Sequence, residues 1–488
     1  MTVDEHFRMK MDIKTGDNIC PKCGSDDLGV DVGSGRLMCM FCHTFIDEEK
    51  INGRSDIVGL EDDTYSVGAD KMEANQQHVM SFECPNCREQ VTFDANEVST
   101  ARCPWCRHIF VNTEQIPNGK MPDLVLPFSY KKQDAIKNIN DFVAKHRRYA
   151  HPDFKKQYDA NNVVGVYLPY MIVDVHGKVK LSGVGEKEIR SYWEKRGEHS
   201  EKVYDVDRYR VKRDFDIAID DLTIEASADK FKQDMSINTS NIVNSVMPFD
   251  TENCVKWTPY HLRGFSADKR DIEANDLYDP IKKQSYDIAI TKGLETATDY
   301  DRGVYWEDAE LTMEGTSWKF AQMPIWLYSY YEKYPHDQSG ILHYVAVNAR
   351  NGKTMGSVPI YRPKLKRHAF ALELVTGTLG VLWMIYLFAD DPELRFGLGF
   401  ILGFLPGFIF YFAIRSKYRN ENVRFKHETD TRSDIHNLVA SDTKIETITG
   451  TERTDIGQKN KLHGVNIHNT TILDKAIKAA EEAEKEKE

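Results

Sequence analysis

Eight cysteines in two identically spaced blocks, two long apolar runs near the far end and a β-rich stretch between them predict a multidomain chain. The expected parts are two small four-cysteine zinc ribbons, a cytoplasmic α+β domain with an antiparallel β meander, and a two-helix transmembrane hairpin. The cysteine arithmetic is the sharpest of the three observations. Cys20-x-x-Cys23 … Cys39-x-x-Cys42 and Cys84-x-x-Cys87 … Cys103-x-x-Cys106 each leave fifteen residues between their pairs. A Cys-x-x-Cys turn aims two thiolates at one point, and two such knuckles supply the four soft ligands of a tetrahedral structural Zn²⁺. Two structural zinc ions per chain follow, ribbon 1 over 18–46 and ribbon 2 over 82–113. Four thiolates close the coordination shell and leave no place for water or substrate. His43 and His108 stand beside the sites but are surplus to complete ligand sets.

The apolar runs, 369–388 and 396–414, are each long enough to cross a bilayer as a helix. Between them 389–395 is too short for anything but the turn of an antiparallel hairpin, and it carries Asp390, Asp391 and Glu393. Arg362, Lys364, Lys366 and Arg367 precede the first run, and Arg415, Lys417 and Arg419 follow the second. The positive-inside rule therefore puts both termini in the cytoplasm of a multi-pass protein of the cell membrane. Glu373, about one turn from the cytoplasmic end, can reach the interface. Gly399, Gly403 and Gly407 recur every fourth residue and make a close-packing face, either against the first helix or in a homo-oligomer. Pro406 predicts a bend.

The remaining segments follow in order. No apolar h-region opens the chain, which argues against a secretory signal and for a reducing compartment in which the thiols hold metal. Residues 47–81, acidic and broken by Gly53, Gly59 and Gly68, read as a flexible acidic linker. The α+β domain spans 124–361. Leu124 to Phe128 reads as a strand, Ser129 as the cap of a helix that buries Ile136, Ile139 and Val143, and 163–175 as β-structure with a return over 178–181 after Gly177. Residues 271–298 read as helix with a potential break at Pro280, and 304–358 as an antiparallel meander. Within it Asn351-Gly352 predicts a type I′ hairpin. The segments 167–172 and 322–327 share a Pro-centred pattern and read as strands of similar role. A polar cytoplasmic tail, 415–470, leads to a C-terminal amphipathic helix, 471–488, with Ile472, Leu473, Ala476, Ile477 and Ala480 on one face.

Catalytic patterns are absent. Gly352-Lys353-Thr354 looks like the end of a P-loop, but Val347 stands where its first glycine belongs. Gly183-Val184-Gly185 lacks the rest of a dinucleotide fingerprint, and Cys254 reads as a core thiol rather than a nucleophile. The formal charge of −12 and the acids of both ribbons give little electrostatic reason to hold nucleic acid. Phe41 and Trp105 occupy the same place before the last cysteine of their ribbons. Each is either a cover for the metal site or a rigid anchor for a partner protein.

The motifs Val125-Leu126-Pro127-Phe128, Gly165-Val166-Tyr167-Leu168-Pro169, Pro259-Tyr260-His261-Leu262-Arg263-Gly264-Phe265, Met323-Pro324-Ile325-Trp326 and Val347-Asn348-Ala349-Arg350-Asn351-Gly352-Lys353 carry a resemblance. Over roughly 84–419 the chain resembles bacterial membrane proteins labelled transcription-factor-IIB-type zinc-ribbon-containing, some of which are labelled primosomal helicase-like. The tandem ribbon departs from the single ribbon of many such proteins, and no ATPase motif is present. The resemblance implies a membrane protein of poorly defined biochemistry, with members encoded beside envelope-stress and membrane-scaffold proteins. The leading expectation is a non-enzymatic adaptor that recruits cytoplasmic or membrane-associated proteins to the bilayer. A membrane-tethered nucleic-acid binder, replication- or transcription-related, is the alternative, and an enzyme with a site assembled from distant residues is third.

Overall fold

The computed structural model describes residues 19–48, 57–66, 68–69, 79–85, 87, 89–94, 102–107, 115–116, 121–196, 199–227, 246–270, 272–333, 340–387, 406–414 and 431–450. Its spine is three long antiparallel strands. β8 (Val164–Arg196) pairs with β9 (His199–Glu225) along one edge and with β12 (Val304–Lys333) along the other. At about 3.3 Å per residue such strands reach on the order of 100 Å, far longer than the usual strand. The return expected at Gly177 does not occur. β8 runs straight through it, and a Cβ there would sit 2.9 Å from the Thr312 carbonyl of β12, so glycine serves a close approach rather than a turn.

Shorter strands hand over along the outer edges. On β12, β3 (Asp63–Tyr65) and β7 (Leu124–Val125) pair in parallel, and then β13 (Gly340–Asn348) pairs antiparallel and carries β14 (Thr354–Gly356). On β8, β11 (Ser266–Asp268) precedes β9 in the same way. Both handover points hold a proline. Pro169 falls between the partners at Tyr167 and Tyr170, and Pro324 between those at Gln322 and Ile325. Proline cannot donate to a ladder and is ordinarily excluded from central strands; at these seams no donor is required. The two Pro-centred segments of similar pattern are thus neighbours, with Pro324 opposite Tyr167 and Gln322 opposite Pro169.

Side chains alternate between the two faces. Val166, Leu168, Tyr170 and Ile172 of β8 meet ribbon 2 on one face, while Met171, Val173, Val175, Val179 and Leu181 face α3 (Ala274–Glu295) on the other. Tyr167 lies on the α3 side too, under α1 (Lys132–His146) and α2 (Pro152–Gln157). Lys131, not Ser129, holds the N-cap position of α1, and α3 continues through Pro280. The hairpin β13–β14 forms as expected, but six residues separate its last pair, Val347 and Thr354, and only Gly352, at φ +75°, takes a left-handed conformation, so the turn is not type I′.

Two segments expected to be loose are built into the sheet. In the 47–81 linker, β3 joins the edge of β12, Gly68 and Ala69 carbonyls accept from the buried Arg270, and Ser66 Oγ donates to Asp123. In the polar tail, β15 (Ser433–Gly450) pairs with β9 over Ile219 to Tyr204. The C-terminal amphipathic helix, 471–488, lies outside the described residues.

α4 (Arg362–Leu387) begins just past β14. Leu365 is buried against the domain and Ala369 is buried beside Gly407, whereas Phe370, Leu374, Val375, Leu379 and Leu382 are all more than half exposed. A second helical stretch, 406–414, packs back on α4. A Cβ on Gly407 would collide with Glu373, and Phe410, Tyr411 and Ile414 pack with Leu365 and Tyr149. Gly407 is therefore occupied within the chain. Counted over the described side chains, no helix is long and apolar enough to cross a membrane. The two full spans expected at 369–388 and 396–414 are not shown, and 388–405, which holds the acidic turn, Gly399 and Gly403, lies outside the described residues.

Candidate metal centres

In each ribbon the four sulfurs converge on one point. All lie within 4.8 Å of one another in both Cys20, Cys23, Cys39, Cys42 and Cys84, Cys87, Cys103, Cys106. The closest pairs are Cys20–Cys42 and Cys23–Cys39 at 3.6 Å, Cys84–Cys106 at 3.4 Å and Cys87–Cys103 at 3.5 Å. A disulfide would bring two sulfurs to about 2.0 Å. A tetrahedron with metal–sulfur bonds of about 2.3 Å has edges of about 3.8 Å, close to what the four thiols adopt. Each group can hold one metal ion, and a set of four soft donors leaves no open position for chemistry.

Three of the four knuckles, those whose following residue is described, share one backbone device. The residue after the second cysteine turns left-handed, with φ +74° at Gly24, +53° at His43 and +64° at Arg107. Its N–H donates to the carbonyl of the first cysteine, at 2.8 Å from Gly24 to Cys20 and 2.9 Å from His43 to Cys39 and from Arg107 to Cys103. His43 is thus a turn residue and not a ligand. His108 lies outside the described residues. Thr44 Oγ1 sits 3.2 Å from Cys42 Sγ, and its hydrogen bond pulls that thiol down to about 6, toward the thiolate a metal needs. His43→Gly should keep the full metal complement and stabilise ribbon 1 by about 1 kcal/mol, since glycine carries no left-handed penalty. Elemental analysis and a thermal melt check this, and loss of a metal equivalent would restore His43 as a ligand.

The two matching aromatics part company. Phe41 is 74% exposed, whereas Trp105 is fully buried. Trp105 stacks edge-on to Tyr344 at 5.8 Å and donates through Nε1 to Asp268 Oδ1 at 3.3 Å, so its partner is this chain's own sheet. Ribbon 2 is fastened in several further ways. β5 (Gln90–Asp94) pairs with β11 and with β4 (Val79–Glu83), and β4 also pairs with β6 (Gln115–Ile116). Ser329 Oγ donates to the Pro104 carbonyl at 2.7 Å, and Arg107 donates to the Ser329 carbonyl and lies over the Tyr328 ring. Of the two readings open for these rings, Trp105 takes the packed one and is no anchor for an outside partner, while Phe41 keeps its exposed position.

Ribbon 1 has its own two-stranded sheet, β1 (Leu28–Asp31) with β2 (Arg36–Cys39), and its own core of Leu28, Leu37 and Ile46 between the cysteines. It rests on the turn Pro259–Leu262. Tyr260 packs on its core, the buried His261 Nε2 lies 3.0 Å from Glu48 Oε1, and Arg263 pairs with Asp27. Beneath that turn the sequence motifs converge on one aromatic node. Phe128 stacks on Phe265 at 4.1 Å and meets Tyr167 and Trp326 edge-on at 4.9 and 5.0 Å. Gly165 is required there because a Cβ would strike the Phe265 ring. The buried Asn348 donates to the Val246 and Pro248 carbonyls, while Arg350 grips Asp250 and the Pro127 carbonyl, so the fifth motif clamps 246–250 against the node. These residues hold the node and the segment that covers it together. Cys254 is buried, and burial pushes its thiol up, away from the nucleophilic form.

Comparison with known proteins adds one match. The chain is 20% identical over 351 residues to a Bacillus subtilis (strain 168) protein described as uncharacterized protein YdjG, covering 71% of this chain and 91% of that one. No family model matches the chain, and no solved structure matches it.

Proposed function

We propose that the chain is a membrane-anchored, zinc-stabilised adaptor without catalytic activity, which presents a rigid cytoplasmic surface to partner proteins. The observation that carries the reading is Phe41, an aromatic ring 74% exposed on a knuckle whose metal set is already complete. A large apolar ring held on a short, cross-linked turn loses little entropy when it is buried by a partner, which is the property of an interface anchor. Zinc suits both sites, since four thiolates select a soft, tetrahedral ion and the sites serve no redox or substrate role.

Two further observations support the parts. Exposed apolar side chains begin on α4 at Phe370, two residues after His368 meets Tyr149 of the domain, which suits a helix entering lipid with its basic start in the cytoplasm. At ribbon 1 Arg36 is paired with Asp47 at 2.6 Å, and Arg263 of the supporting domain with Asp27 of the ribbon, which leaves little for phosphates. Because both ribbons are docked, the partner would meet a fixed platform rather than swinging arms.

The test compares proteins co-purified from detergent-solubilised membranes with the unaltered chain and with Phe41→Ala. A defined set should fall by roughly tenfold or more with the variant, corresponding to the loss of about 1.4 kcal/mol or more at a hot spot, while zinc stays at two per chain. An unchanged set, together with salt-sensitive binding of DNA or RNA by the full chain, would replace the adaptor by the nucleic-acid reading.

A further inference from the structure

The segment that follows α1 is fastened to the base of α4. Tyr361 N donates to the Tyr149 carbonyl at 2.7 Å, His151 N donates to the Pro359 carbonyl at 2.8 Å, and Lys364 Nζ donates to the Arg148 carbonyl at 2.9 Å. Tyr149 is buried with Leu365, beneath the rings of His368 and Phe410. Fastening brings together cations that are far apart in sequence. Arg147 and Lys155 come from the α1–α2 corner and Lys364 from the first turn of α4, where it reaches the Arg148 carbonyl and acts on the charge of Lys155.

A cavity of about 340 Å³ opens in that corner, lined by Asn140, Arg147, Lys155 and Tyr158 over an apolar floor of Val143 and Phe154. Tyr158 OH donates to Asn140 Oδ1 at 2.9 Å, which fixes the uncharged wall. Among the described residues no carboxylate pairs with Arg147, Lys155 or Lys364; Asp153, on the same helix as Lys155, lies 3.7 Å from His151 Nδ1 instead. Burial holds the Lys155 ammonium below its usual range, and the charges of Lys364 and Arg147 add to the effect. A cluster of like charges with a polar wall and no internal counter-ion is a site for an external anion.

We propose that this corner binds the phosphate headgroup of an anionic phospholipid, so that the soluble domain sits directly on the membrane surface. The occupant follows from position. Apolar side chains of α4 turn outward from Phe370, so the cation cluster lies at the level where the helix would meet headgroups. The proposal rests on the anchoring reading above and adds a lipid preference to it.

The full-length protein in neutral detergent is mixed with phosphatidylglycerol or phosphatidylcholine, and retained lipid is counted by native mass spectrometry. Phosphatidylglycerol should be retained preferentially. Arg147→Gln with Lys155→Gln should weaken that retention by about 25-fold, about fivefold for each charge removed near the surface. Lys132→Gln with Lys137→Gln, an equal charge change at the far end of α1, should leave it intact, and Arg147→Lys should preserve it. Equal retention of the two lipids, or equal loss in both double variants, overturns the proposal. So does displacement by inorganic phosphate beyond that by chloride of matched ionic strength, which would mark a free-anion site. Alkaline carbonate extraction tests anchoring separately. If the protein leaves the membrane, the anchoring reading fails, and sedimentation of the detergent-free chain with phosphatidylglycerol vesicles then decides whether the corner still selects anionic headgroups.

Discussion

Cys103→Ser is expected to unfold the β-domain, whereas Cys23→Ser removes one metal ion and leaves the domain's unfolding transition nearly in place. The sites are alike in chemistry and opposite in setting. Cys84 and Cys103 belong to the same buried cluster as Leu168, Tyr170, Met323 and Ile325, and the strand between the two knuckles, β5, feeds through β11 into β8. Cys23 is exposed, and its ribbon closes its own small core, joined to the domain through Tyr260, His261 and Arg263. A structural zinc contributes an apparent 10–16 kcal/mol, roughly, toward folding, about the whole net stability of a typical domain. Removing a ligand at site 2 therefore leaves the sheet with three thiols in its core and an uncovered face. At site 1 the same loss stays local. Urea unfolding followed by tryptophan fluorescence, with zinc counted in parallel, separates the two. Equal midpoints for the variants, each holding one zinc, would mean that ribbon 2 does not belong to the cooperative unit.

The metal sites were legible because their information is local. Two Cys-x-x-Cys turns state their geometry within four residues, and the left-handed position after each is nearly independent of the rest of the chain. The outer edges of the sheet were not legible, for a related reason. β3 is three residues long and wholly exposed, and it becomes a strand only because β12 offers an open edge over Thr316 to Trp318. β15 had a signal in its own sequence, Thr443, Ile445, Thr447 and Ile448 amid charged residues, but high polarity concealed it. The long reach of β8 was hidden by Gly177, which sequence reasoning takes for a turn and which the fold, as at Gly183, uses where β12 approaches closely. The Pro-centred echo carried the converse lesson, since two prolines in strand-like runs marked the seams of a handover rather than an interruption.

Trp105→Ala is expected to cost about 3–5 kcal/mol of domain stability, while Phe41→Ala changes it by less than about 0.5 kcal/mol. Sequence position is the same for both rings; what differs is the surface that each knuckle meets. Ribbon 2 lies face-down on the sheet, so the indole fills space between Tyr344 and the cysteine knuckle and reaches Asp268, whereas the ring on ribbon 1 is exposed. Trp105→Phe resolves the two parts of the cost. It restores most of the buried area but not the indole N–H, so the deficit should shrink to about 1–3 kcal/mol, the range for a buried acceptor deprived of its donor. Zinc content should stay at two in all three variants, because none of them removes a thiolate. Urea midpoints read at constant slope make the comparison. A Trp105→Ala domain as stable as the unaltered one would show that ribbon 2 rests on the sheet without contributing to its core, and would return Trp105 to the role of an outward anchor that its sequence position shares with Phe41.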